Sequence, residues 1–182
     1  LRLDAKGNVF CATGVTEQGQ GTETVLAQIV ATSVGGAMEN VRVITGDTEV
    51  TPYGGGTWAS RGCGIAGEAA VQAGRVLREN ILDVAGVILQ TESAALDIQN
   101  GNIVDSVDGN VLTTLDEVAR VAYYRPDTFP EDFQSELVVT RHYVPRDYPF
   151  AFTNGIQASY LEVDVETGLI TLLKHWCVED CG

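Results

Sequence analysis

The spacing of hydrophobic residues predicts an amphipathic helix in the first fifth of the chain. The helix begins at Thr22, which is suited to be its N-cap, and Glu23 in its first turn favours the helix dipole. Gly35 and Gly36 end it. Residues three and four positions apart form its apolar stripe: Val25, Leu26, Ile29, Val30 and Val34.

A second, longer helix follows a glycine-dense turn over residues 56–64 and continues to about Gln90. Its hydrophobic positions recur with helical spacing along its length, so we expect it to be buried. Alanine and glycine are concentrated in its first half, where they allow the backbone of another element to approach closely. These small residues are Ala66, Gly67, Ala69, Ala70, Ala73 and Gly74.

Strand patterns flank the first helix and dominate the second half of the chain. Residues 8–14 and 41–45 are β-prone, and with the helix between them they predict a β-loop-α-β unit. Asn100-Gly101 predicts a tight hairpin, because both central residues of such a turn need positive φ. A short helix is expected over residues 114–123.

The C-terminal third predicts a β-meander, and no linker is long enough to divide the chain. We therefore expect one domain over residues 1–182 with an α+β fold: a β-loop-α-β unit, a long buried helix, a β-hairpin and C-terminal antiparallel strands. The strands of the meander are expected over residues 136–143, 156–165 and 169–178.

The chain is strongly acidic, with 25 Asp and Glu against 11 Lys and Arg and a formal net charge of −14. This charge repels phosphate backbones and argues against a nucleic-acid partner. No apolar run approaches the ~18 residues of a membrane span. The four cysteines are scattered, which predicts reduced thiols and no metal site.

Two segments have the same form, a glycine-rich turn that opens a helix. The first is GQGT at residues 19–22, and the second is TWASRG at residues 57–62. Glycines let a ligand approach the backbone, and the N–H groups at a helix start favour an anion such as phosphate. Gln20 and Arg61 add polar groups, so the two segments together predict a clamp for a phosphorylated, amide-rich ligand. The alternative is two tight turns with capped helices and no ligand.

Five motifs in order resemble those of a known family over nearly the whole chain. They are EQGQGT at residues 17–22, GDT to PYG over residues 46–54, TWASR at residues 57–61, GEAA at residues 67–70 and EVDVETG at residues 162–168. The chain resembles the large subunit of the xanthine dehydrogenase family of molybdenum hydroxylases. Within that family it is similar to carbon monoxide dehydrogenase-like and to isoquinoline or aldehyde oxidoreductase-like enzymes.

The resemblance implies a molybdopterin cofactor with molybdenum, in bacteria often as molybdopterin cytosine dinucleotide. In the family, the first glycine segment lies against the metal centre and the pterin, and the turn before the second helix contacts the pterin and the dinucleotide. Carried over to this chain, the cofactor-binding residues are Gly19, Gln20, Gly21, Thr57, Ala59, Ser60, Arg61 and Gly62.

The same resemblance implies an oxidoreductase that hydroxylates a small carbon substrate with water-derived oxygen and passes electrons to iron–sulfur and FAD subunits or domains. The general base of the family, a glutamate in a late Gly-Glu motif, has no counterpart here, so no catalytic residue and no metal ligand is assigned. We expect an internal piece of a longer subunit, inactive alone, from a cytoplasmic or periplasmic enzyme that could also be a homo-oligomer. A non-enzymatic α+β interaction module is the alternative function.

Overall fold

The computed structural model describes residues 1–147 and 152–182. The chain divides into two compact units, Leu1–Pro149 and Phe150–Gly182. In chain order, the strands are β1 Arg2–Leu3, β2 Val9–Ala12, β3 Val41–Ile44, β4 Leu96–Gln99, β5 Asn102–Asp105, β6 Val111–Thr114, β7 Asn154–Val163 and β8 Ile170–Asp180. The α-helices are α1 Thr22–Val34, α2 Gly67–Leu89 and α3 Leu115–Tyr124.

The β-loop-α-β unit is confirmed. Strands β2 and β3 pair in parallel, with Val9 opposite Val41, and α1 connects them. Strand β1 pairs antiparallel with the other edge of β2. The prediction that Thr22 is the N-cap of α1 is wrong: Gly21 is the N-cap, and Thr22 is the first helical residue with a buried side chain.

The long helix α2 is buried along one face, as predicted, and packs against α1. A Cβ atom on Gly74 would overlap the Oγ and Cβ atoms of Ser33 in α1. A Cβ atom on Gly67, seven residues earlier, would lie 3.0 Å from Ile29 Cδ1. The small residues of α2 therefore do what the sequence analysis expected, since they let the two helices approach closely.

A second sheet, β4-β5-β6, contains the predicted hairpin. Asn100 and Gly101 have φ values of 49° and 78°, as this two-residue turn requires. Strand β6 was not predicted, because its sequence VLTT does not alternate between apolar and polar residues. Helix α3 begins after Thr114, whose hydroxyl accepts a hydrogen bond from Glu117 N–H at 3.4 Å.

The predicted strand over residues 136–143 is wrong, and so is the three-stranded meander. In the described residues this segment forms only an isolated bridge, between Val138 and Arg2. Leu137 and Val139 are buried while Val138 is exposed, so the alternation in the sequence is real. The segment pairs with β1, and a two-residue strand is too short to extend the pairing.

The second unit is a hairpin of β7 and β8, which confirms the two other predicted strands. The strands pair from Asn154 opposite Asp180 to Val163 opposite Ile170, with a bulge at residues 160–161. In the turn, Asp164 Oδ1 accepts hydrogen bonds from the N–H groups of two following residues. Over the described part of the chain, no helix is both long enough and apolar enough to cross a bilayer.

Candidate functional site

Two loops of the first unit lie side by side at the starts of α1 and α2. We call residues 14–21 the first loop and residues 51–61 the second loop. The Thr57 hydroxyl accepts a hydrogen bond from Thr16 N–H at 2.8 Å and donates one to the Thr16 carbonyl at 2.7 Å. Gln18 Nε2 donates to the Thr57 carbonyl at 3.2 Å. Thr57 thus joins the two segments that the sequence analysis assigned to one site.

The two loops also touch backbone against backbone. A Cβ atom on Gly14 would overlap Gly54 N and Cα, and a Cβ atom on Gly54 would overlap the backbone of Gly14. Gly56 N–H donates to the Gly14 carbonyl at 3.0 Å. Only glycine fits at this crossing, so the glycines of the sequence serve loop packing as well as any ligand.

The N–H groups of the first loop are occupied by Glu17. Its Oε1 atom accepts hydrogen bonds from the N–H groups of Gln18 at 3.1 Å, Gly19 at 2.8 Å and Gly21 at 3.1 Å. Its Oε2 atom accepts one from Glu23 N–H at 3.0 Å. These hydrogen bonds hold the pKa of Glu17 below its ordinary value, and the bond from Glu23 N–H has a larger effect than the other three. These N–H groups are therefore not free for a ligand anion, contrary to the expectation from the sequence.

The side-chain amide of Gln20 is engaged within the first loop. Its Oε1 atom accepts a hydrogen bond from Gln18 N–H at 2.6 Å, and its Nε2 atom donates to the Thr16 carbonyl at 3.0 Å and to Thr22 Oγ1 at 2.6 Å. These contacts shape the loop. A direct contact between Gln20 and a cofactor stays a prediction.

The second loop has an unusual backbone immediately before α2. Ala59 and Ser60 have φ values of 49° and 58°, the left-handed region that costs residues with a Cβ about 1–2 kcal/mol each. A single wide helical turn, Gly62–Ala66, leads into α2, and no side chain of the described residues caps its start at Arg61. The second helix start therefore differs from the first, where Glu17 occupies the N–H groups.

Arg61 has no polar partner in the described residues. Its Nε atom is buried and makes no hydrogen bond, and no hydrogen bond or ion pair there engages the guanidinium. The group lies over the Trp58 ring, 5.3 Å from the centroid. Trp58 is 61% exposed and donates from Nε1 to the Gly55 carbonyl at 3.1 Å, so its ring is available to a ligand and does not fill the core.

A cavity of about 620 Å³ adjoins Arg61. Residues of the end of β2, of the second loop, of the start of α2 and of the segment after Leu137 line it. Arg61 is the one predicted site residue in this lining, and Arg2 and Arg141 add two further guanidinium groups. Sequence reasoning missed this cavity, because its walls come from segments far apart in the chain, from Leu1 to Val144.

The thiols and imidazoles form no metal site in the part of the chain that the structure describes: no three His, Cys, Asp or Glu side chains are suitably grouped. Cys11 is buried, which raises the pKa of its thiol, while Cys63 is exposed at the start of α2. His175 Nδ1 lies 2.9 Å from Ser159 Oγ across the β7–β8 hairpin. These are ordinary structural positions.

We expect Thr57→Val to loosen the connection between the two loops. The change keeps the shape of the side chain but removes both hydrogen bonds to Thr16. Losing about 1.5 kcal/mol of hydrogen bonding should speed hydrogen exchange of the Gly56 amide roughly tenfold. Thr57→Ser keeps the hydroxyl and is the matched control. Equal exchange rates in the two variants would show that the hydroxyl does not join the loops.

Comparisons with known proteins identify relatives along the whole chain. The family described as "Molybdopterin cofactor-binding domain" matches residues 1–182. The chain is 30% identical over 182 residues to the carbon monoxide dehydrogenase large chain of Hydrogenophaga pseudoflava, of which it covers 22%. It is 37% identical over 185 residues to the xanthine dehydrogenase molybdenum-binding subunit of Escherichia coli O157:H7, of which it covers 24%.

Solved structures agree with these relatives. The crystal structure of quinoline 2-oxidoreductase from Pseudomonas putida 86 matches with a TM-score of 0.80 and 33% identity, over 100% of this chain and 23% of that chain. The resemblance stated from the motifs is thus confirmed, and so is the α+β fold class. The chain spans about a fifth to a quarter of the length of these relatives.

Proposed function

The chain belongs to the molybdopterin cofactor-binding domain family, and on this premise we propose that its two joined loops hold the molybdopterin cofactor of a molybdenum hydroxylase. The observation that carries the proposal is the guanidinium of Arg61, which has no polar partner among the described residues and ends the loop that Thr57 joins to the first glycine segment. The proposed cofactor-binding residues are Gly19, Gln20, Gly21, Thr57, Ala59, Ser60, Arg61 and Gly62.

The described residues fit such a cofactor, which has a phosphate and a flat polar ring system. Arg61 offers several donors with no partner among the described residues, and a guanidinium suits a phosphate. A Cβ atom on Gly19 or Gly21 would meet nothing within 4 Å, so a ring can lie against the open backbone there. The exposed Trp58 ring adds a surface on which a heterocycle can stack.

Each segment has its own task in this proposal. Arg61 pairs with the phosphate side of the cofactor, and the strained backbone at Ala59 and Ser60 presents that arginine at the start of α2. Thr57 and Gln20 act by holding the loops in shape, as their hydrogen bonds indicate. When bound, the cofactor supplies the two-electron redox chemistry at molybdenum. We further propose the cytosine dinucleotide form, whose extra nucleotide gives Arg61 a second phosphate to bind.

The whole protein, in this proposal, is an oxidoreductase that hydroxylates or oxidises a small carbon substrate with water-derived oxygen. The names of its relatives support this class: a carbon monoxide dehydrogenase large chain and a nicotine 6-hydroxylase large subunit. Their designation as large chain or subunit supports partner subunits, and we propose that these carry iron–sulfur clusters and FAD. We place the general base outside these 182 residues and the enzyme in the cytoplasm, with the periplasm as the second option.

We expect Arg61→Gln in the holoprotein to release the cofactor faster. Losing a charge-assisted hydrogen bond of about 1.5–3 kcal/mol corresponds to a roughly ten- to hundredfold loss of affinity. The measurement is molybdenum per protein over time after dilution, together with the CMP that acid hydrolysis releases. Arg125→Gln is the matched control, because Arg125 is exposed and already paired with Asp127 at 3.2 Å.

Three outcomes would contradict the proposal or a part of it. Equal retention of molybdenum in both variants would remove Arg61 from the site. Molybdenum without CMP would replace the dinucleotide by another form of the cofactor. A native protein free of molybdenum and pterin would favour the non-enzymatic interaction module instead.

A further inference from the structure

We infer that Glu17 is the built-in anion of the first loop, a positioning residue that occupies the α1 N-terminal amides and so keeps them from a ligand anion. Its two carboxylate oxygens accept four backbone N–H groups between Gln18 and Glu23. The first loop therefore does not work as the phosphate cradle that its glycine pattern suggests. Its backbone N–H groups already donate to the negatively charged carboxylate of Glu17.

The geometry explains why a glutamate and two glycines are needed. Gly19 and Gly21 have φ values of 94° and 82°, which turn successive N–H groups toward one point. Such a concave arrangement of amides is a binding site for an anion. Glu17 precedes it closely enough to fold back, so one oxygen reaches three N–H groups while the other reaches Glu23 N–H in the first turn of the helix.

Electrostatics favours the ionised side chain at this position. The carboxylate lies at the positive end of the α1 dipole, and hydrogen bonds to the charged form stabilise it. The lowered pKa of Glu17 agrees with this geometry. Gln20 supports the same loop shape. Of these four amides, its side chain contacts that of Gln18 in the described residues, since Oε1 accepts a hydrogen bond from Gln18 N–H.

The second loop differs from the first at its helix start. No side chain caps the start of the helical turn after Arg61, and the guanidinium there has no partner among the described residues. This step rests on the proposed function, in which each of the two loops binds an anion from a different source. Glu17 supplies the anion of the first loop, and the ligand supplies the anion of the second.

The test follows the backbone amide resonances of Gly19, Gly21 and Glu23 in the 182-residue chain while sodium acetate replaces sodium chloride at constant ionic strength. In the parent chain we expect no saturable shift, because the amides are already bound. In Glu17→Ala these amides should move upfield, as lost hydrogen bonds require, and acetate should return them toward their parent positions with a saturating curve. If Glu17 only filled space in the loop, acetate would not return the amide resonances of Glu17→Ala toward their parent positions.

Two further variants control the result. Glu39→Ala removes the same charge from an exposed position and should leave the three amides unchanged. Glu17→Gln keeps the size of the side chain but has one acceptor oxygen, so it should shift the amides in the same direction by a smaller amount. If Glu17→Ala does not fold, Glu17→Gln and the parent titration still decide the question.

The inference is overturned if acetate shifts the parent amides saturably, or if neither Glu17 variant moves them. It is also overturned if acetate leaves the shifted amides of a folded Glu17→Ala chain where they are. None of these measurements uses the cofactor. A failure here is therefore distinguishable from a failure of the proposed function, which molybdenum and CMP retention tests separately.

Discussion

Replacing Gly74 with alanine is expected to lower the free energy of unfolding by about 1–3 kcal/mol, the range for forcing atoms into a packed core. A Cβ atom there would overlap Ser33 Oγ and Cβ, where α2 crosses α1. The clash cannot be relieved by one rotamer change, because Ser33 Cβ is fixed to the helix backbone. A decrease in the free energy of unfolding is informative, since alanine in place of glycine would otherwise stabilise a helix by about 1 kcal/mol.

The measurement is chemical denaturation of the 182-residue chain, and a compensating variant makes it specific. Ser33→Gly removes both overlapping atoms, so Gly74→Ala combined with Ser33→Gly should recover part of the lost stability relative to the sum of the two single changes. Strict additivity would mean that the two positions do not meet. Gly36→Ala is the reference for a glycine with open space around it, and it should change little.

Local sequence signals predicted the elements whose geometry is set within a few residues. Gly35 was expected to end α1, and in the structure it is the left-handed C-cap of this helix. Asn100 and Gly101 adopt the positive φ values that their turn requires. The alanine and glycine positions of α2 predicted a close neighbour correctly, although they could not identify α1 as that neighbour, because helix spacing says which face is buried and not what covers it.

Contacts between distant segments were beyond local signals. A strand is expected from the sequence over residues 136–143, but its partner, β1, is more than a hundred residues away and only two residues long. The bonds of Thr57 to Thr16 connect residues 41 positions apart. Sequence reasoning could not foresee that Thr57 links the two loops. Its contact with a cofactor stays a prediction.

The two segments predicted as the site lie next to each other in the structure. Their role in cofactor binding stays a prediction, and the side chains within them were interpreted too simply. A glycine-rich helix start suggests free amides, and the motif around Glu17 gives its carboxylate no separate role. Its carboxylate was the signal that could have been used, since an acid shortly before a helix start can fold back and cap it. The positive φ values of Ala59 and Ser60 had no sequence signal, because neither residue type favours that conformation.

Replacing Gly14 with alanine is expected to separate the two loops and to reduce cofactor retention roughly tenfold, as losing about 1.5 kcal/mol of loop hydrogen bonding would. A Cβ atom at this position would overlap Gly54 N and Cα and the Pro52 carbonyl. These are backbone atoms, so the whole second loop must move. The Gly56 N–H to Gly14 carbonyl hydrogen bond, 3.0 Å long, breaks with it.

The decisive comparison is between molybdenum retention and folding. We expect Gly14→Ala and Gly54→Ala to behave alike, because each puts its Cβ into the backbone of the other residue. Helices α1 and α2 pack elsewhere, so circular dichroism should stay close to that of the parent. Gly36→Ala, the open-space control, should retain molybdenum normally.

Hydrogen exchange and molybdenum retention test two different statements: that the loops contact each other, and that this contact holds the cofactor. Faster hydrogen exchange at Gly56 would show that the loops have moved apart, whether or not a cofactor is present. If exchange increases in Gly14→Ala while molybdenum stays bound, the loops cross as the structure has them but do not hold the cofactor together. If neither exchange nor molybdenum changes, the backbone crossing of Gly14 and Gly54 is itself wrong.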